Sequence, residues 1–207
     1  MKEQNTPKIN TVQLFKEALK KSYSYDDYRT LVAQHVASKT STGPEQTDDL
    51  SQYTLLNDSR MRRLDKTTKI AENIKQDFLA FEKKQTWLVL TESWCGDAAQ
   101  TMPVINKLAR LAPHINLKVA LRDENIALMN QFLTNGNMSI PKLIILDSTT
   151  DEIIGDWGPR PTEATKLVND YKTKHGSLTP EFKEELQVWY NKNKGQNTAE
   201  DIHKLIS

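Results

Sequence analysis

At 207 residues, with 37% hydrophobic and 27% charged content, the chain suits one core domain with extensions and does not divide into two equal domains. Its 28 basic and 27 acidic residues leave a net charge of +1, so there is no whole-chain pull toward nucleic acid or an anionic membrane. A mean hydropathy of −0.64 suits a soluble protein, no run reaches the roughly 18 apolar residues of a spanning helix, and the polar first ten residues hold no secretory signal. One cysteine, Cys95, excludes an internal disulfide, and the expected compartment is cytoplasmic.

From Thr11, the residues Val12, Leu14, Phe15, Ala18 and Leu19 predict a short amphipathic helix, and Ser24-Tyr25-Asp26-Asp27 opens a second with a capping-box pattern. Gly43-Pro44 breaks that helix. Thr47 or Asp48 then caps a long third helix, in which Leu50, Tyr53, Met61, Leu64, Ala71, Ile74, Phe78 and Phe81 follow three- and four-residue steps. These helices are expected to cover one side of the core, or alternatively to dock a protein partner. Arg60, Arg62, Arg63, Lys66 and Lys69 form a basic cluster on the third helix. It reads as a solvated face, because acidic and amide residues interleave and no aromatic platform accompanies it.

The next stretch reads as strand 86–91, helix 96–111 with Pro103 inside it, strand 115–121, helix 124–134, strands 142–147 and 152–157, and helix 161–174. Val89, Leu90, Val119 and Leu143 to Leu146 are the expected core. This order pairs a parallel βαβ half with a hairpin and a closing helix. Thr179 as N-cap and Pro180 at the first helical position start a further helix that carries Phe182, Leu186, Trp189 and Tyr190. A last short helix is capped by Thr198. The expected organisation is a helical extension over 1–83, a core over 84–175 and a C-terminal helical extension over 176–207.

The chemistry is expected at Thr91-Glu92-Ser93-Trp94-Cys95-Gly96-Asp97-Ala98-Ala99-Gln100, where an apolar strand runs into a helix. A cysteine at a helix N-terminus faces unpaired N–H groups and the positive end of the dipole. Cys95 is therefore expected to titrate below a free thiol, with Asp97 opposing only in part. His35, His114, His175 and His203 are scattered without metal-ligand spacing, so no metal is expected, and the seven glycines form no phosphate loop.

Trp94-Cys95-Gly96, Pro103 eight residues after the cysteine, and Ser139-Ile140-Pro141 ahead of an apolar strand together resemble the thioredoxin family over roughly residues 84–175. Arg122-Asp123-Glu124, Thr134-Asn135-Gly136 and Trp157-Gly158-Pro159-Arg160-Pro161 are similar to motifs of a bacterial thioredoxin-like branch with a helical N-terminal extension. The resemblance implies an α/β thioredoxin fold, a mixed four-stranded sheet flanked by helices, with helical extensions at both ends. It also implies Cys95 as nucleophile, a site shaped by Trp94, Gly96 and Asp97, and a cis-proline loop in which Ile140 and Pro141 present backbone to an extended substrate.

Two departures matter. The family's second cysteine is replaced by Ala98, and its buried strand aspartate by Val89, so the resolving thiol and its proton acceptor are both absent. The expected function is a monothiol thiol-disulfide oxidoreductase acting on a protein or small-molecule disulfide or thiol. It needs no bound cofactor, and an external thiol such as glutathione resolves it. The alternative is a redox-inactive binding module with a partner in the same groove or on the helical extension. No nucleic-acid or membrane partner is expected.

Overall fold

The computed structural model describes residues 10–206. The expectation for the first ten residues therefore falls almost wholly outside the described part.

Helices α1 (Thr11–Lys20), α2 (Tyr25–Ser38), α3 (Asp48–Thr67) and α4 (Glu72–Leu79) precede the sheet. Asn10, Ser24 and Thr47 cap the first three, each side chain accepting an N–H three residues on. The long third helix read from the sequence is two helices, α3 and α4. Thr68 leaves α3 in extended conformation and Ala71 caps α4 with no side-chain bond, so the apolar steps continue in register across a turn that periodicity alone does not reveal.

The sheet has strand order β2-β1-β3-β4, from β1 (Gln85–Thr91), β2 (Ile115–Leu121), β3 (Lys142–Asp147) and β4 (Glu152–Trp157). β1 pairs parallel with β2 and antiparallel with β3, and β3 pairs antiparallel with β4. β1 is buried along its whole length, as its apolar run requires. Between β1 and β2 lies α5 (Gly96–Leu111), which carries Pro103 inside it and buries most of its residues. The expected helix over 124–134 is much shorter. A 3₁₀ turn at Arg122–Glu124 leads into α6 (Ile126–Met129), and Thr134-Asn137 forms a bridge of its own, with Asn135 and Gly136 at positive φ.

After β4 come α7 (Thr162–His175), α8 (Pro180–Asn193) and α9 (Gln196–Ile206). α9 starts at Gln196, before the expected cap at Thr198, and Lys194 and Gly195 at positive φ make the sharp turn out of α8.

The extension is built into the core. Tyr23 exchanges backbone hydrogen bonds with Val119, at 2.7 and 2.9 Å, and so covers the open edge of β2. Phe15, Tyr28, Val32, Met61 and Phe78 belong to the same apolar cluster as the sheet. No helix among the described residues is long and apolar enough to cross a membrane.

Candidate functional site

The four residues between β1 and α5 turn the chain through Cys95, the N-cap of α5. Its sulfur accepts the Ala98 N–H at 3.4 Å, and its thiol donates to the Ile140 carbonyl at 3.2 Å. The Ile140-Pro141 bond is cis. Gly158 lets the chain after β4 pass close behind this loop: it holds φ at +117°, and a Cβ there would overlap the Pro141 carbonyl oxygen. The Gly158-Pro159 bond is also cis, which the sequence reading did not anticipate.

Each neighbour of Cys95 is fixed from a different segment. Arg122 lies over the Trp94 ring, 5.1 Å from its centroid, and donates to Asp123 at 2.7 Å and to the Met138 carbonyl at 3.5 Å. The Asp97 side chain, only 11% exposed, bridges to Arg160 at 2.7 Å and accepts the Tyr190 hydroxyl at 3.0 Å. Arg60 of α3 lies over Gly96, its Nη1 at 3.7 Å from where a Cβ would stand, and donates to Asn57.

The extension also holds the strand end itself. Thr54 shares a 2.8 Å hydrogen bond with the Ser93 hydroxyl, the Ser93 N–H donates to Thr42 Oγ1 at 2.8 Å, and Asn57 Nδ2 donates to the Ser93 carbonyl at 3.0 Å. Glu92 accepts the Asp123 N–H at 2.9 Å through one carboxylate oxygen, while its other oxygen is buried without a partner among the described residues. Burial raises its pKa.

These surroundings overturn one expectation. Cys95 is 7% exposed, and burial, followed by the adjacent Asp97 charge, pushes its thiol up to about 12. The Ala98 and Asp97 N–H groups and Arg160 act in the other direction without prevailing. The helix N-terminus does favour the thiolate, but it would prevail only at a solvated sulfur. In this fold the loss of hydration outweighs the dipole. Asp97 is itself raised by burial against the opposing effect of Arg160 and Tyr190.

Trp94, Cys95, Gly96 and Asp97 thus lie on one turn, and Ile140 and Pro141 lie on the loop that meets it. Arg160 and Tyr190 were not singled out as site residues, and Arg60 was read as part of a solvated face. Arg160 had a signal in Trp157-Gly158-Pro159-Arg160-Pro161. Tyr190 had none beyond its place on an amphipathic helix. Among the described residues no group of three His, Cys, Asp or Glu side chains is placed to hold a metal ion.

A βαβ half, an antiparallel hairpin and a cysteine N-cap facing a cis-proline loop define a thioredoxin-fold protein. The family model for thioredoxin matches residues 43–172, more than half of the sequence, and the chain belongs to that family. Among solved structures it is similar to a protein of unknown function from Pseudomonas aeruginosa, with a TM-score of 0.57 and 18% identity, covering 73% of this chain and 84% of that one. It is also similar to an HIV epitope-scaffold protein, with a TM-score of 0.56 and 16% identity, covering 89% of this chain and 98% of that one. At these identities the likeness concerns the fold. No curated protein matches the sequence at a significant level.

Proposed function

We propose that this thioredoxin-family protein acts as a binding module in which Cys95 rests as a buried, redox-quiet thiol. The observation that carries the reading is the thiol's own hydrogen bond. Cys95 donates to the Ile140 carbonyl at 3.2 Å beside the Asp97 carboxylate, an arrangement that favours S–H over S⁻. Ala98 in the resolving position accords with it, since no second thiol could complete a dithiol cycle. A partner surface is at hand on the extension, where Tyr53, Leu55 and Leu56 of α3 are 44–47% exposed. The partner is proposed to be a protein, in the cytoplasm.

The test is a challenge of folded protein with oxidised glutathione at neutral pH, read by intact mass, with an unfolded control. The binding-module reading expects an adduct only in the control. A glutathione adduct on the folded protein would sink it.

One observation favours a second reading, the monothiol oxidoreductase: the Ala98 N–H points at the sulfur at 3.4 Å, where it would also stabilise a thiolate. In that reaction the Cys95 thiolate attacks one sulfur of a substrate disulfide. A mixed disulfide forms and the other sulfur leaves as thiolate. An external thiol such as glutathione then attacks the mixed disulfide, releasing Cys95 and carrying the bond away. Trp94, Gly96, Asp97, Ile140 and Pro141 would contact the substrate in this reading.

A further inference from the structure

The basic cluster on and after α3 is exposed at Arg62, Arg63, Lys66 and Lys69 and half-buried only at Arg60, and its members differ in what they face. Arg62 pairs with Asp58, and Arg60 lies over Gly96. Arg63 and Lys69 instead turn toward the C-terminal extension, where with Lys194 they line a groove of about 430 Å³ between α3 and the α8–α9 turn. The lining contains these three cations and no carboxylate, and among the described residues none of the three is in an ion pair. On a chain whose net charge is only +1, this is a marked local surplus. Burial lowers the pKa of nearby Arg60, and the Arg63 charge lowers it further, in keeping with the local crowding of positive charge.

The floor of the groove gives an independent sign. Thr68, 4% exposed, lines it and keeps its hydroxyl without a hydrogen-bond partner among the described residues. A buried hydroxyl without a partner is destabilising, so a ligand oxygen that reached it would relieve that deficit. Arg63 is already aimed by a 2.7 Å hydrogen bond to Asn191, which leaves other guanidinium N–H groups free for an oxyanion.

We infer that this groove binds a small, multiply charged phosphate compound. Three cations line it, one from α3, one from the segment after α3 and one from the end of α8, so a ligand seated there has positive charge on more than one side. That arrangement suits the several equivalent oxygens of a phosphate group better than a planar carboxylate. The volume lies toward the small end of the range for small-molecule pockets, about 300–1,000 Å³. The inference is independent of what Cys95 does.

The experiment is titration calorimetry of the full chain with inorganic pyrophosphate, at fixed ionic strength set with a chloride salt. Saturable binding is expected with half-saturation below about 1 mM. Arg63→Gln and Lys194→Gln are each expected to weaken it about tenfold, the effect of losing one charge-assisted hydrogen bond. Thr68→Val separates ligand binding from structure, because removing an unpartnered hydroxyl should leave the unliganded thermal midpoint unchanged or raised while weakening binding severalfold. Absence of saturable heat, or pyrophosphate affinity unchanged in all three folded variants, would overturn the assignment.

Discussion

Asp97→Asn is the substitution that best tests the account of the thiol. A thiol held at about 12 has, near neutral pH, a thiolate fraction about three thousandfold below that of a free cysteine at ~8.5. Burial is the larger cause, and the Asp97 charge follows. The amide keeps an acceptor for the Tyr190 hydroxyl but removes the charge, leaving the Arg160 guanidinium, now at 2.7 Å from Asp97, unopposed beside the sulfur. One adjacent charge moves a pKa by about 1–3 units, so the variant's thiolate fraction near pH 8 should rise about 10- to 1,000-fold. The assay is the rate of iodoacetamide alkylation against pH, with near-ultraviolet circular dichroism as the check on fold. A folded variant whose rate stays within about twofold of wild type from pH 7 to pH 9.5 would show that Asp97 does not hold the proton on Cys95.

The same thiol makes stability depend on pH. Its folded pKa is raised above the unfolded value, so its contribution is fully present below about 8.5 and is lost as pH rises toward about 12, at roughly 1.4 kcal/mol per unit. Urea midpoints between about pH 8.5 and 10 should therefore fall more steeply for wild type than for Cys95→Ala; the tyrosines contribute equally to both chains, and parallel slopes would contradict the raised thiol. Asn57→Ala strips the buried Ser93 carbonyl of its side-chain donor and should cost about 1–3 kcal/mol, with faster amide exchange over residues 93–97 as the local sign. Gly158→Ala sets a Cβ against the Pro141 carbonyl at φ +117° and should cost at least about 2–3 kcal/mol by urea melt, whereas a neutral result would mean the two loops are not in contact.

What was legible in the sequence followed periodicity and capping. β4, α5 and β2 fall at the residues their apolar runs and end signals indicate, and Thr47, Ser24 and Thr179 cap where their side chains suggest. The α3–α4 break was hidden because Thr68 to Ala71 contain neither glycine nor proline, and the apolar spacing survives the turn. The short α6 was overread because Leu128, Met129 and Phe132 keep helical spacing, while the Thr134-Asn137 bridge that ends the segment depends on backbone geometry. At the site, Cys95 and the proline loop could be read from motifs on either side of a strand. Arg160 and Tyr190 meet Asp97 only through tertiary packing, across 63 and 93 positions, which no local pattern encodes.

That packing explains why a helix N-terminus does not suffice to make a reactive thiol here. In an uncovered strand-to-helix turn, water would solvate a thiolate and add to the effect of the N–H groups. In this chain Thr42, Thr54 and Asn57 close over Ser93 from the N-terminal side, and Tyr190 of α8 closes over Asp97 from the C-terminal side. The two extensions therefore set the dielectric of the site as well as its shape. With hydration removed, the short-range partners decide the protonation state: one carbonyl accepting from the sulfur and one carboxylate alongside it, against the Ala98 and Asp97 N–H groups and the Arg160 charge. A partner that loosened either extension would act on the thiol without touching it, because readmitting water to the Cys95 turn removes the largest cause of its raised pKa.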